Sequence, residues 1–328
     1  MKDQEKRIPS FQRNSSLEYL LPIINDALID AEKKLSMSFS EIDPHPLIFI
    51  VGPLRSGTTL FMQWLGSTGI AAYPTNLLSR FYAAPVTGAL IQLLLTEKKY
   101  NFRDELLDIG SLTDFSSENG KTIGALSPNE FWYFWRRFLP FGEIDWLPDH
   151  ELLQKVNYKQ LEYELNSLTR VFEKPFAMKA MILNYNIPFL RSVAKNAIFI
   201  QMKRNPVSNI ASIIEARKRQ SGDENIWYSF KIPEYEKLKN LTAIEQATGQ
   251  FYYISKAVDH GMKVISDQKK VIIQYEDFCK NPAKYFLEIC ERLGVNNIYT
   301  GIESFQETRH VENSLRIYIE KSLADFSD

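Results

Sequence analysis

Cysteine and histidine are scarce in this chain of 328 residues, which has two of the first and four of the second. Cys279 and Cys290 can close one disulfide at most, so no disulfide framework holds the fold, and such usage fits a reducing compartment. With only His45, His150, His260 and His310 present, a proton-transfer role has few histidines to draw on. Long apolar runs are missing too. The longest, at 46–51 and 88–95, are the size of core elements, well short of the roughly 18 residues of a membrane span. Lys2, Asp3, Glu5, Lys6 and Arg7 stand where a signal peptide needs an apolar stretch, so a cytoplasmic protein is expected. Neither charge dominates: 39 Lys and Arg face 40 Asp and Glu, a formal net charge of -1. Such a balance gives no global pull toward nucleic acid or anionic membrane, and any anion site must be built locally.

What is present is ordinary globular composition, 45% hydrophobic and 24% charged, which sets aside disorder, collagen and coiled coil. Residues 1 to about 15 are polar. Beyond them Leu17, Leu20, Ile24, Ala27, Leu28, Ala31 and Leu35 recur at helical spacing, predicting an N-terminal helical extension over 1–45. From residue 46 a rhythm of short apolar runs and helical segments sets in. Strands are expected at 47–51, 176–182, 197–202 and 271–275, and helices at 60–65, 188–194, 206–217, 244–258 and 282–293. Alternation of this kind predicts an α/β fold: one domain over 46–328, with a central parallel sheet covered by helices on both faces. The weakly patterned interval from about 97 to 175 is expected to form an insertion or cap at the sheet edge.

The most informative segment follows the first predicted strand: Gly52-Pro53-Leu54-Arg55-Ser56-Gly57-Thr58-Thr59. Two glycines with four residues between them, opening a helix, match a phosphate-binding P-loop whose backbone N–H groups point inward at an anion. Thr58 stands where a nucleoside triphosphatase has lysine, and a cation appears inside the loop instead, as Arg55. A plain strand-to-helix turn needing glycine is the competing reading. A second anion site is expected after 198–202, where Lys203-Arg204-Asn205-Pro206 follows. Asn205 and Pro206 form an N-cap and first helical position. Arg204 then emerges at the carboxyl edge of the sheet, where open α/β folds bind ligands, with Ser212 two turns further on. Many triphosphatases carry an acidic metal ligand at such a strand end; here the position is doubly basic. One anion loop and a separate Arg/Ser site suggest a nucleotide phosphorylated at two places, with no metal required.

The loop 53–60, together with Arg204-Asn-Pro-Val-Ser-Asn-Ile-Ala-Ser212, resembles the sulfotransferases that use 3′-phosphoadenosine 5′-phosphosulfate (PAPS). The segment Val271-Ile-Ile-Gln-Tyr-Glu-Asp-Phe-Cys-Lys-Asn-Pro282 resembles a stretch near the C-terminus of that family. The resemblance spans about 46–295 and implies a P-loop-like fold, PAPS as donor and 3′,5′-ADP (PAP) as product. It further implies that Arg55, Ser56, Gly57, Thr58 and Thr59 hold the 5′-phosphosulfate, while Arg204 and Ser212, eight residues apart, hold the 3′-phosphate. The acceptor is then a hydroxyl of a class the sequence does not name. The chain departs from cytosolic members in having Arg55 for their loop lysine. It also has no histidine near Met178-Lys179-Ala180-Met181, where theirs stands, and no evident late Arg-Lys-Gly motif; Arg309 and Arg316 are loose substitutes for that motif, or surface arginines.

Sulfuryl transfer asks for positioning and for neutralisation of charge on the leaving oxygen. Arg55 and the loop amides are expected to supply this, so Arg55→Ala is expected to affect turnover more than donor affinity. A general base is also needed. His45 precedes the first strand, His150 sits in a polar turn, and His310 has little to recommend it. Glu130 is the preferred base, beside the aromatic run 131–135, where an apolar wall raises a carboxylate pKa. The competing reading makes Ser127 an N-cap and Glu130 its capping-box partner. The aromatic run lines an acceptor pocket or packs in the core. Arg217-Lys218-Arg219 reads as a solvated helix end. Two other functions remain: a P-loop kinase or triphosphatase, with Glu276 and Asp277 as a weak acidic feature after a strand, and an inactive nucleotide-binding protein of the same fold.

Overall fold

The computed structural model describes residues 7–100, 106, 117–118, 121–307 and 311–327. Helices α1 (Ser15–Ala27) and α2 (Ile29–Met37) precede strand β1 (Leu47–Val51), and α3 (Thr58–Thr68) and α4 (Pro85–Thr96) follow it. Strands β2 (Ser117–Glu118) and β3 (Lys121–Thr122) make a short antiparallel ladder. Next come α5 (Trp132–Phe138), α6 (Asp149–Lys155) and α7 (Tyr158–Phe172), then β4 (Phe176–Lys179) and α8 (Ile187–Val193). The chain continues through β5 (Ile198–Lys203), α9 (Pro206–Ser221), α10 (Tyr235–Leu238) and α11 (Ala243–Met262). It ends with β6 (Lys270–Gln274), α12 (Tyr275–Lys280), α13 (Pro282–Leu293) and α14 (Asn313–Ser327).

The sheet runs β4-β1-β5-β6, every pairing parallel, with Phe49 in register with Met178 on one side and Phe199 on the other. Its two faces bury separate clusters, as period-two side-chain alternation requires. Leu47, Phe49, Val51, Met178 and Phe199 face α7, α8, α9 and α11. Ile48, Ile50, Ile200, Met202 and Ile273 face α3, α12 and α13. The expected α/β architecture is therefore present, a central parallel sheet with helices on both faces. Parallel pairing brings the carboxyl ends of β1, β4 and β5 to one edge, and the loops after them meet there. Within 97–175, the described helix α7 buries Leu161, Leu165 and Leu168 in the larger cluster. Among the described residues no helix is long and apolar enough to cross a membrane. Cys279 and Cys290 are both buried and unpaired with each other.

Two local readings are corrected. The predicted 17–35 helix is broken at Leu28, and it turns polar residues inward: Asn25, Glu32 and Ser36 are buried beside Leu21, while Leu20 and Ile24 are exposed. Hydrogen bonds explain the inversion. Asn25 donates to Arg80 O at 2.8 Å and accepts from Ala83 N at 2.7 Å, and Glu32 caps α4 through Val86 N and Thr87 N at 2.9 and 2.8 Å. The capping-box reading of Ser127 and Glu130 also fails, because α5 begins only at Trp132 and its N-cap is Phe131 in the left-handed region. Asn129 accepts from Phe131 N at 2.8 Å, an Asx turn that competes with helix and leaves Glu130 outside it.

Candidate active site

Gly52 and Gly57 bracket the loop between β1 and α3, and each is dictated by a close approach. Gly52 has φ 145°, and a Cβ there would lie 2.5 Å from Met202 O on the neighbouring strand. Gly57 has φ 93°, and its Cβ would lie 2.2 Å from the Tyr275 ring. The loop is further clamped by Asn184, which accepts from Gly52 N at 3.0 Å and donates to Gly52 O at 2.7 Å. Within the cradle, Ser56 is fully buried and its hydroxyl has no hydrogen-bond partner in the protein. The unpaired N–H groups of the first turn of α3 point the same way, as the start of any helix does. An oxyanion fits such a cradle.

Arg204 leaves the end of β5 and turns toward this loop: Nη1 donates to Arg55 O at 2.6 Å. Its guanidinium lies 4.9 Å from the centroid of the Tyr275 ring, so one aromatic supports both Gly57 and Arg204. Burial is the main cause lowering the Arg204 pKa, and the nearby Arg55 charge adds to it. Asn205 caps α9 by accepting from Ser208 N at 3.1 Å, as its sequence position predicts. Ser212 on α9 accepts from Arg55 Nε at 3.2 Å. The two arginine motifs, separated by some 150 residues of sequence, thus touch directly. The Arg55 charge also acts on Tyr228, whose pKa is raised chiefly by burial and held down by that charge.

The residue the sequence pattern did not single out is Lys179, last in β4. It is 4% exposed, and Nζ donates to Thr59 Oγ1 at 2.7 Å and to Glu130 Oε1 at 3.2 Å. A cation from the neighbouring strand therefore reaches the start of α3, where Thr58 replaces the usual lysine. Burial pulls the Lys179 pKa below its ordinary value, and Glu130 works against that fall. A lone charge within an otherwise apolar run was the one signal in the sequence; that this strand lies next to β1 is given only by the sheet order. Thr58 packs its hydroxyl on Met181 Sδ at 3.5 Å.

Glu130 is half-buried and held by Lys179 and by the indole N–H of Trp132. Glu130, Trp132, Trp135, Lys179, Met181 and Ile182 line a small cavity that opens to solvent. The aromatic run divides: Phe131 and Phe134 are buried in the core, Trp135 is buried and also lines the cavity, and Trp132 borders it. His45, His150 and His260 have no part in this cluster, while Arg309 and His310 lie outside the described residues. Arg316 is on α14, 3.8 Å from Glu320, as a surface residue. Glu276 accepts from Asn205 N at 2.9 Å, capping neighbouring backbone beside the loop.

Comparison with known proteins decides the lineage. A family model described as the sulfotransferase family matches residues 46–299. The chain belongs to that family. Among solved structures it is similar to sulfotransferase STF1 of Mycobacterium tuberculosis, with TM-score 0.51 and 12% identity over 92% of this chain and 78% of that one. It is also similar to sulfotransferase STF9 of Mycobacterium avium, with TM-score 0.48 and 14% identity over 93% and 73%. A sulfotransferase from Alicyclobacillus acidocaldarius gives TM-score 0.45 and 16% identity over 86% and 92%. At such identities the likeness to the tuberculosis protein speaks for fold alone. No curated protein matches the chain.

Proposed function

We propose that this member of the sulfotransferase family transfers a sulfuryl group from PAPS to a hydroxyl, without a metal. The observation that carries the reading is the cluster of Arg55, Arg204 and Lys179 around one glycine cradle, with Glu130 the carboxylate bonded to it. The orphaned Ser56 hydroxyl and the free first-turn amides of α3 fit a phosphate group. Arg204 and Ser212 fit a second phosphate on the other side of Arg55. When bound, PAPS supplies the activated sulfuryl group and its leaving phosphate.

In this reading the cradle of Ser56, Gly57, Thr58 and Thr59 fixes the 5′ end of the donor, and Arg204 with Ser212 fixes the 3′-phosphate. Lys179, whose Nζ bonds Thr59 in the first turn of α3, neutralises charge as it grows on the leaving oxygen. Arg55 joins both ends, since its side chain rests on Ser212 and its backbone on Arg204. The catalytic role expected of Arg55 is therefore shared with Lys179. Glu130 accepts the acceptor's proton, oriented by the Trp132 N–H and kept beside Lys179. Trp132, Trp135, Met181 and Ile182 supply an apolar wall that keeps water from the reacting hydroxyl.

Thermal denaturation with 3′,5′-ADP, with ATP, and without ligand tests the donor assignment. Saturation at a hundred times Kd adds about 2.7 kcal/mol, and 3′,5′-ADP is expected to stabilise the chain without magnesium while ATP does not. Equal stabilisation by ATP overturns the donor assignment. Release of 3′,5′-ADP from PAPS that depends on added hydroxyl compounds is the corresponding test of transfer.

A further inference from the structure

Arg217 corrects the reading of 217–219 as a solvated helix end. Lys218 and Arg219 do face solvent, pairing with Glu224 and Glu215. Arg217 is 1% exposed. Its Nη1 donates to Gln246 Oε1 at 3.0 Å and Glu224 O at 3.3 Å, and Nη2 to Gln250 Oε1 at 3.4 Å. The guanidinium lies 5.4 Å from the Trp227 ring centroid. Every one of these partners is neutral, and Nε is buried with none. Burial alone lowers the pKa of Arg217, with no charged neighbour contributing. A buried cation without a counter-charge is costly, and the usual resolution is a paired anion.

Room for that anion lies beside it. Arg217 lines a cavity of about 50 Å3 together with Arg7, Gln220, Ser221, Trp227, Tyr228 and Ser229. That space takes a few waters or one tetrahedral oxyanion, and the pocket opens to solvent, where the rest of a larger molecule has room. Its chemistry is a second arginine, amide and hydroxyl donors, and one flat indole wall. The backbone at Ser229 is held in the left-handed region, φ 70°, a conformation that persists only where the surroundings enforce it.

We propose that this cavity binds a small organic molecule through a single phosphate- or sulfate-type oxyanion, with Arg217 as its counter-charge and Trp227 against its body. The planar guanidinium fork suits a two-oxygen contact. The site is distinct from the glycine cradle and assumes nothing about the donor. It is nevertheless close to the cradle, because Tyr228 lines the cavity and lies within the field of the Arg55 charge. An occupant packed on Tyr228 thus bears on the loop arginine.

Thermal unfolding with phenyl phosphate, inorganic phosphate and phenol, on the wild-type chain, Arg217→Gln and Arg204→Gln, tests the site. Phenyl phosphate and phosphate are expected to raise the wild-type Tm saturably, phenyl phosphate at the lower concentration, and phenol is expected to do nothing. Arg217→Gln is expected to weaken the phenyl phosphate effect at least tenfold, and Arg204→Gln to retain it. No shift with either anion, an unchanged shift in Arg217→Gln, or an equal shift with phenol overturns the proposal. Should Arg217→Gln not fold, wild-type crystals soaked in tungstate decide the question instead. An anomalous peak in contact with the Arg217 guanidinium supports the site, and tungstate bound only elsewhere overturns it.

Discussion

The guanidinium of Arg204 donates to the carbonyl oxygen of Arg55 at 2.6 Å, and Arg55 is a non-glycine residue held at φ 64°. A left-handed backbone costs such a residue about 1–2 kcal/mol, so this bond fixes the loop in a shape it would otherwise leave. Arg204 thus has two tasks in the proposed site: it contributes positive charge, and it sets the carbonyl that positions Arg55. Hydrogen bonds to charged groups are worth about 1.5–3 kcal/mol. Arg204→Gln is therefore expected to weaken 3′,5′-ADP binding roughly ten- to hundredfold, measured by calorimetry. Ser212→Ala is expected to lose less, since Arg55 still reaches the site. Full affinity in Arg204→Gln contradicts the arrangement.

Lys179 separates rate from binding. Its Nζ touches Thr59 and Glu130, beside the oxygen whose charge grows during transfer, so Lys179→Met is expected to lower kcat by about 10²–10³ while changing PAPS affinity by less than about threefold. The product 3′,5′-ADP, which carries that charge in full, is expected to bind more weakly as well. Arg55→Ala, by contrast, is expected to lose both, because Arg55 also holds Ser212. The pH profile carries the sign. Burial lowers the Lys179 pKa from 10.5, so the cation is lost, and activity falls, as pH rises through a value below 10.5. Lys179→Arg, which stays charged, is expected to move that alkaline limb upward. A limb unmoved by Lys179→Arg assigns it to another group.

Alkaline unfolding follows from the tyrosines. Burial raises Tyr73, Tyr133 and Tyr185 above the ordinary 10.0, Tyr133 to about 12 with help from a hydrogen bond to Glu18. For a group whose folded pKa is raised, the folded state holds its proton longer than the unfolded one. The stability is complete below pH about 10 and is lost as pH rises through the folded values. Lys179, Arg204 and Arg217, whose pKa values burial depresses, act in the opposite direction, but the raised tyrosines, with Tyr82, Tyr228, Tyr285 and Tyr299 among them, are more numerous. Urea midpoints are expected to fall steadily above pH about 10, and Tyr73→Phe is expected to flatten the slope. A midpoint constant to pH 11.5 or so contradicts the burial of these hydroxyls.

The four strands of the central sheet were legible because each is a short, mainly apolar run between breakers, although β4 stops at Lys179, short of the expected 182, and the helices at 206–221 and 282–293 because Asn-Pro opens both. Gly52, Gly57, Arg204 and Ser212 were legible as a pattern of spacing around one strand-to-helix turn. Lys179 and Asn184 were not, since their roles depend on which strand lies next to β1, and sequence order does not state that β4 does. Arg217 misled because a cation in the last turn of a helix usually faces water; here Gln246 and Gln250 of α11 draw it inward. The inverted face of α1 and α2 was hidden for a related reason. Periodicity locates apolar residues, but polar groups were chosen for the contact.

Glu32 is the test of that contact. Its carboxylate is 5% exposed and accepts from Val86 N, Thr87 N and Thr87 Oγ1 at 2.9, 2.8 and 2.8 Å. The N-terminus of α4 favours a negative charge there through its unpaired N–H groups. Glu32→Ala leaves three donors buried without acceptors, at about 1–3 kcal/mol for each unsatisfied group, and the local structure relaxes to recover part of that. We expect Glu32→Ala to lower unfolding stability by about 3 kcal/mol in urea denaturation. Glu32→Gln keeps the shape, gives up one acceptor oxygen and the charge, and is expected to lose roughly half as much. Leu20→Ser, on the exposed side of the same extension, is expected to change stability by less than about 0.5 kcal/mol. The opposite ranking, with Leu20→Ser the costlier change, returns the apolar stripe to the buried face and overturns the polar attachment of the extension.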